Sequence, residues 1–411
     1  MNLPLLILAA VMALIACRQI GRIRLPIWII MLGGAAAVLL SGDIQPLNAI
    51  HAINYEILIF LFCVFVIGSA MEESGYLTHL ASRIFSSQTT GRGLILLFIL
   101  TMGAFSALLM NDTLAIIGTP IALILARTCG IPDRAFLLAL AGAVTTGSVI
   151  SPIGNPQNLL IALSGGIENP FISFFIILLI PTILSGMALY FIIIRLFPCI
   201  PDTIPPVLFE ARIRDLQMAS LSKVSLALLI GLILIRIMLI SCGQPPLLKL
   251  ESIAIIAAAP ILILSTKRLQ ILKKVDYPTL IFFIGLFILM ESVWNTGAIQ
   301  HLIPLEVALS APFLITSSLL VSQVISNVPF VALLIPTLLE AGAPDGMYLA
   351  LAAGSTIAGN LTILGAASNV IIIQNAERRG ATITFMEFLK FGIPVTLLQS
   401  LIFTGWFTII G

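Results

Sequence analysis

The sequence predicts an all-α polytopic membrane protein, and three observations carry that expectation. Of 411 residues, 59% are hydrophobic and only 9% are charged, against about 25% charged in ordinary soluble chains. The charges fall in short clusters between apolar runs, and about 18 or more nearly uncharged residues suffice to cross a bilayer as a helix. The runs also recur in the same order in the two halves of the chain. So few charges cannot coat a water-exposed surface. That excludes an ordinary soluble enzyme, a nucleic-acid binder and a disordered scaffold. The lipid bilayer is the first expected partner.

Apolar segments lie at 3–17, 25–41, 55–71, 92–110, 114–127, 135–163 and 171–197. After a polar stretch they resume at 222–242, 251–266, 278–294, 310–325, 328–339, 346–375 and 387–410. Residues 1–200 are expected to form one repeat and 222–411 a second, with 201–221 as a cytoplasmic linker. Met1 to Ala16 lacks a basic n-region and a clear cleavage site, so it reads as a retained first span. Cys17, Cys63, Cys129, Cys199 and Cys242 are spread singly, which suits apolar fillers and neither a disulfide framework nor a zinc site.

Three matches in register support the duplication. Residues 55–77 align with 277–299 without a gap, Tyr55, Leu58, Phe60 and Gly75 meeting Tyr277, Leu280, Phe282 and Gly297. Asn111 and Pro120 share the spacing of Asn327 and Pro336. Ser151, Gly154 and Asn158 share that of Thr362, Gly365 and Asn369. The segments at about 92–127 and 310–339 each hold two apolar pieces around a short polar tip, which reads as a re-entrant hairpin. Each half then has five full spans and one hairpin. An odd count turns the second half upside down, the inverted-repeat plan of many secondary transporters. Two short full spans in place of each hairpin would give the same parity.

This topology places eighteen of the 20 Lys and Arg residues on one side, from Arg18, Arg22 and Arg24 through to Arg378, Arg379 and Lys390. The other side receives Lys249 with Asp43, Glu168, Glu251, Glu306, Glu340 and Asp345. Positive residues mark the cytoplasmic face, so both termini are expected outside it. Arg236 is the basic residue left inside a span, where snorkelling or pairing toward the outer surface is the plainer reading. Glu56, Glu72, Glu73 and Glu291 lie near span ends and read as interfacial.

Four polar clusters interrupt the apolar helices: Asn111-Asp112-Thr113, Ser151 to Asn158, Ser326-Asn327-Val328-Pro329, and Gly359 to Asn369. Prolines and glycines break helices there. In lipid an unsatisfied backbone group costs several kcal/mol, so such breaks must line a cavity or a site. Helix N-termini attract anions and C-terminal carbonyls attract cations. Asn, Ser and Thr oxygens suit a hard cation such as Na⁺. The plainer reading, caps and packing glue, fits a lone Asn-Pro better than four clusters paired across two repeats. The candidate binding residues are Asn111, Asp112, Thr113, Ser151, Gly154, Asn155, Asn158, Ser326, Asn327, Asn360, Thr362, Gly365, Ser368 and Asn369. A Na⁺ site is expected near Asn111, Asp112 and Asn327.

Asp112 is the sharpest single residue. A carboxylate at membrane depth costs about 2.5–3.5 kcal/mol or more unless protonated or paired, which suggests a proton or cation carrier. The alternative is a capping aspartate at a helix N-terminus. The chain has no Walker A loop, no His-Glu-x-x-His and no Thr-Val-Gly-Tyr-Gly filter. His51, His79 and His301 do not cluster. No enzymatic activity and no cofactor are expected, apart from a coupling ion, H⁺ or Na⁺.

At these four clusters the sequence resembles the ion transporter superfamily of arsenite permeases, divalent-anion/sodium symporters, citrate–metal permeases and one type of Na⁺/H⁺ antiporter. The resemblance covers nearly the whole chain. In the dicarboxylate symporters both tips look like Ser-Asn-Thr and bind substrate carboxylates and Na⁺. Here the second tip keeps Ser326-Asn327 but has Val328, and the first is Asn111-Asp112-Thr113. The run from Asn111-Asp112 to Thr119-Pro120-Ile121 looks closer to the arsenite permeases, as does Asn327-Val328-Pro329. The broken helices look more like the general anion-permease pattern. The resemblance implies a secondary active transporter of a small inorganic or carboxylate anion, or an arsenite-like oxyacid, in the plasma (inner) membrane. It also implies a homodimer and, for an arsenite-pump-like protein, a separate ATPase subunit. The alternatives are a Na⁺/H⁺ antiporter of the same superfamily and a passive channel or facilitator. An ionised Asp112 would repel a dianion and tolerate a neutral solute or a cation. Anion binding would rest on helix ends, amides and hydroxyls, since no Arg or Lys lies within the four clusters.

Overall fold

The computed structural model describes residues 3–17, 19–20, 23–24, 26–205, 213–244, 248–297 and 309–410. Arg18, Arg22, Pro206, Glu210, Arg212, His301 and Glu306 lie outside the described residues. Apart from one two-residue antiparallel pairing, Gln19–Ile20 with Ile23–Arg24, the regular structure described is helical.

The first half contributes α1 (Leu3–Cys17), α2 (Ile27–Leu40), α3 (Pro46–Ala52), α4 (Tyr55–Ser74), α5 (Tyr76–Phe85), α6 (Gly91–Leu108), α7 (Asn111–Cys129), α8 (Asp133–Ser148), α9 (Pro156–Ser164) and α10 (Pro170–Leu196). The second contributes α11 (Leu216–Ser241), α12 (Leu250–Leu264), α13 (Arg268–Lys274), α14 (Tyr277–Trp294), α15 (Ala311–Ile325), α16 (Asn327–Glu340), α17 (Asp345–Ile357), α18 (Ala367–Glu377) and α19 (Phe385–Ile410). Seven of these, α4, α6, α7, α10, α11, α14 and α19, are long and apolar enough to cross a membrane by length and composition. Helices α1, α2, α12, α15 and α16 are apolar but shorter. The expected apolar segments coincide with helices, although only seven of these are long and apolar enough to cross and two of the seven, α6 and α7, were expected as the arms of a hairpin. Short α3, α5 and α13 fall in connectors where no long apolar run announced them.

Helix ends follow ordinary capping chemistry. The Asn54 side chain accepts from the Ile57 N–H at 3.1 Å to start α4, and Gly75 at φ 72° ends it. Asp276 accepts from the Thr279 N–H at 3.2 Å to start α14.

Packing pairs recur with the halves exchanged. Helix α2 packs on α14 as α12 packs on α4, and α7 packs on α18 as α16 packs on α9. Likewise α8 packs on α10 as α17 packs on α19. Where α6 crosses α8, a Cβ on Gly147 would lie 2.3 Å from the Gly103 Cα. Only two glycines allow so close an approach, as small residues do in membrane helix pairs.

Candidate functional site

The two predicted helix breaks are real. Helix α8 ends at Ser148 and α9 begins at Pro156. Helix α17 ends at Ile357, and two short 3₁₀ turns, Ala358–Asn360 and Ile363–Gly365, precede α18 at Ala367. A helix that stops leaves its last carbonyls without intrahelical partners. In the first break, the Asn158 amide donates to the carbonyls of Ser148 and Ser151, both at 3.1 Å. In the second, the Asn369 amide donates to those of Gly359 at 2.7 Å and Thr362 at 3.1 Å. Both asparagines are fully buried. Their amide nitrogens are therefore committed to the backbone.

Gly154 fits tightly against the end of α8, where a Cβ would lie 2.5 Å from the Ser148 carbonyl oxygen. A Cβ on Gly365 would lie 3.0 Å from the Ala358 carbonyl oxygen. The Ser151 hydroxyl accepts from the Ile153 N–H at 3.2 Å, and Asn155 caps α9 by accepting from the Asn158 N–H at 2.9 Å.

Each hairpin tip touches the break of its own half. The Asn111 backbone N–H donates to the Gly154 carbonyl at 2.9 Å. The Asn327 side-chain amide donates to the Gly365 carbonyl at 3.2 Å. Helices α7 and α16 start at these asparagines. Ser326, between α15 and α16, sits at φ 73° and ψ 156°, a region of backbone space that non-glycine residues avoid. Thr113 packs against α4, where a Cβ on Gly68 would meet its Cγ2 at 3.0 Å.

The two breaks are tied to each other by buried side chains. Asn155 donates to the hydroxyls of Ser148 at 3.0 Å and Thr356 at 3.1 Å, and Thr356 donates to the Asn158 Oδ1 at 3.1 Å. Asn360 donates to the Gln399 Oε1 at 2.9 Å and the Thr146 Oγ1 at 3.3 Å. Gln399 closes the triangle by donating to Thr146 at 2.8 Å. Near the second break, the Thr362 hydroxyl donates to the Gln323 Oε1 at 2.9 Å, and Gln323 donates to the Ala358 carbonyl at 2.8 Å. Thr146, Gln323, Thr356 and Gln399 were absent from the expected site. The two glutamines carried a signal, since each is an isolated amide in an otherwise apolar helix.

Asp112 lies in the first turn of α7, half-buried, with no hydrogen bond or ion pair among the described residues. It does not cap the helix: the N-cap is Met110, with no side-chain cap bond. Asp276 lies within electrostatic reach of it. The oxygens Asn111 Oδ1, Asn327 Oδ1, Asn360 Oδ1, Asn369 Oδ1 and Ser368 Oγ are buried without a hydrogen-bond partner among the described residues. Such oxygens suit a hard cation or a solute hydroxyl. Each of the fourteen predicted residues thus lies at a tip or a break. Asn155, Asn158, Asn327, Asn360 and Asn369 spend their amide nitrogens on the fold.

Toward the other end of α16, a cavity of about 320 Å³ opens between α9, α14 and α16, lined by Leu160, Glu291, Trp294, Leu333 and Pro336 among others. Arg236 donates to the Leu248 carbonyl and lines a second cavity with Glu56, Lys249 and Glu251.

The sequence profile described as "Citrate transporter" matches residues 7–354. A "46 kDa membrane protein" of Mycobacterium leprae is 28% identical over 397 residues, covering 90% of each chain. The "Silicon efflux transporter LSI3" of Oryza sativa subsp. japonica is 28% identical over 451 residues, again covering 90% of each. The crystal structure of the Alcanivorax borkumensis YdaH transporter superposes with a TM-score of 0.62 at 16% identity, covering 99% of this chain and 98% of that one. That likeness speaks to the fold. With most of its length matched by the profile, and with its helices, tips and breaks where the resemblance implied, the chain belongs to the citrate transporter family, whose members are membrane transporters.

Proposed function

We propose that this protein is a secondary active transporter that moves a small inorganic or carboxylate solute, or an arsenite-like oxyacid, coupled to H⁺ or Na⁺. The observation that carries this reading is the contact of each hairpin tip with the helix break of its own half. Asn111 and Asn327 bring the N-termini of α7 and α16 onto the Gly154 and Gly365 carbonyls, beside buried oxygens that have no partner. Helix N-termini offer N–H groups and partial positive charge to an anion. The side-chain oxygens and Asp112 offer a place for the coupling cation.

The two halves are read as inverted repeats, with the basic side cytoplasmic and both termini outside. Several ion pairs support this. In Arg92–Asp202, Arg127–Asp133, Arg134–Glu387, Lys267–Asp215 and Lys274–Glu73 the basic member is one assigned to the cytoplasmic side, and no acid assigned to the outer side takes part. Lys249–Glu251 joins two assigned to the outer side. The tips meet breaks that lie inside the α8–α9 and α17–α18 spans, which favours re-entrant hairpins although α6 and α7 are long enough to cross. Alternating access then comes from moving the hairpin-bearing helices against α1–α4 and α11–α14. A homodimer in the plasma membrane is the assembly we assign. A separate ATPase subunit is needed only for arsenite-pump-like work.

Flux in proteoliposomes tests this reading. Uptake of arsenite, citrate, succinate or sulfate should depend on an imposed H⁺ or Na⁺ gradient. Transport that survives collapse of both gradients would replace this reading with a passive facilitator. Asp112→Asn should remove the dependence on the coupling ion, and unchanged transport and pH response would take Asp112 out of the mechanism.

A further inference from the structure

A cavity of about 390 Å³ lies where α4, α10 and α12 begin and α11 approaches its end, with no tip or break residue among the described residues that line it. Its wall brings Glu56, Arg236, Lys249 and Glu251 together with the connector between α9 and α10. Charges are scarce in this chain, yet four meet here, two of each sign.

These four are not fully paired. Lys249 and Glu56 satisfy each other at 2.8 Å, and the Lys249 ammonium stands 3.9 Å from the Glu251 Oε1. The Glu251 side chain is only 13% exposed, and its Oε2 is buried without a hydrogen-bond partner among the described residues. The same holds for the Arg236 Nε, while Nη1 of that guanidinium donates to the Leu248 carbonyl. Arg236 and Glu251 are within electrostatic reach of one another, but no hydrogen bond joins those two open atoms. Buried charges are costly unless paired and hydrogen-bonded. An open cation and an open anion on the wall of one cavity therefore specify a ligand. It brings an anionic acceptor to Arg236 and a positively charged N–H donor to Glu251. A purely anionic group would leave Glu251 unmet, and a quaternary ammonium has no N–H to donate to a carboxylate.

The surroundings identify what carries such a group. Arg236 lies five residues before the end of α11 at Ser241, about 7.5 Å along the helix axis, which is the depth of the polar headgroup layer. Helix α11 is the least buried of the seven long apolar helices. Ile235 and Met238 on α11 are exposed, as are Phe175 and Ile176 near the start of α10. Helices α10 and α11 both wall the cavity without forming a packed pair. In a bilayer their apolar flanks meet acyl chains.

We propose that this cavity is a headgroup site for a phospholipid that joins a phosphate to a primary ammonium, an ethanolamine lipid. A phosphate oxygen accepts from the Arg236 Nε–H, the favoured partner of a guanidinium, and the ammonium donates to the Glu251 Oε2. The site is separate from the solute pathway and stands whether or not transport is coupled to an ion.

Native mass spectrometry of delipidated full-length protein in detergent tests this. Phosphatidylethanolamine, phosphatidylcholine and phosphatidylglycerol of matched chains are titrated separately, and soluble glycerophosphoethanolamine is titrated in parallel. Wild type should bind its first ethanolamine lipid about tenfold more tightly than either other lipid, the worth of one hydrogen bond to a charged group. The soluble headgroup should bind more weakly than the lipid. Arg236→Gln should weaken the ethanolamine lipid about tenfold, and Glu251→Gln should bring it down to the level of the choline lipid. Monodispersity and thermal melting verify folding, and either variant decides if it folds. Equal affinity of wild type for the three lipids, or an ethanolamine preference that survives in a folded variant, would mean that the cavity holds water only and would overturn the site. Soluble headgroup bound as tightly as the lipid would overturn the lipid as its occupant.

Discussion

Asn158 and Asn369 perform the same act at equivalent points of the two halves. Each side-chain amide donates to the main-chain carbonyls ten and seven residues behind it. The donor replaces the backbone N–H that a continuous helix would have supplied. These residues therefore hold the breaks open in a fixed shape, and any ligand binding by them is through Oδ1 alone. The Asn158 Oδ1 is already taken by Thr356, whereas the Asn369 Oδ1 is unpartnered.

Replacing either asparagine by alanine should leave buried carbonyls without donors, at a cost of about 1–3 kcal/mol for each group left unpaired. Thermal melting in detergent should fall for Asn158→Ala and for Asn369→Ala. Asn158→Ala should be the more damaging, because it also strips Thr356 of its acceptor. Melting curves superimposable on wild type would show that the braces are dispensable.

The α6–α8 crossing predicts a sharp contrast between two glycines. A Cβ on Gly147 would lie 2.3 Å from Gly103 backbone atoms, while one on Gly186 would meet nothing within 4 Å. Forcing helices apart in a packed core costs about 1–3 kcal/mol. Gly147→Ala should lower expression of folded protein and its melting temperature, with Gly186→Ala close to wild type. Equal behaviour of the two variants would refute the close approach.

Asn360, Gln399 and Thr146 form a closed set of buried side chains drawn from three separate segments. Groups that share partners do not respond additively, with coupling of about 0.5–3 kcal/mol. A double-mutant cycle with Asn360→Ala and Gln399→Ala, read by denaturation, should give a combined loss smaller than the sum of the single losses. Strict additivity would mean that the set does not act as a unit.

Asp215 gives a pH-dependent test outside the spans. The Lys267 ammonium at 2.6 Å, followed by the Met218 N–H at 2.9 Å, holds its carboxyl below the ordinary carboxylate value. A depressed acid adds stability that is complete above its unfolded value, about 3.9. That stability is lost as pH falls through the lower folded value. Wild-type melting should therefore drop on acidification below about pH 4 more steeply than that of Asp215→Asn. At neutral pH the variant should be the less stable of the two. Parallel acid profiles would remove this cap and ion pair from the stability of α11.

Much of this architecture was legible in the chain because membrane helices announce themselves locally. Apolar length located most of the helices to within a few residues, and proline and glycine marked both breaks. Asn111 and Asn327 stood out as polar groups in apolar surroundings, and so did Asp112. What local pattern could not reveal was the direction of each donor. Asn158 is a candidate ligand in the sequence, and the structure adds that its amide nitrogen donates to the Ser148 and Ser151 carbonyls. Gln323 and Gln399 were visible as lone glutamines, yet their partners lie 35 to 253 residues away.

The sequence by itself therefore determined the solvent class, the helix order, the two tips and the two breaks. Each of those follows from hydrophobicity and backbone freedom, which are properties of short stretches. Only the tertiary structure decided which buried oxygens remain open at the site and which are consumed by the fold. A buried polar group is satisfied by whatever segment packs against it, and that neighbour is set by the fold as a whole.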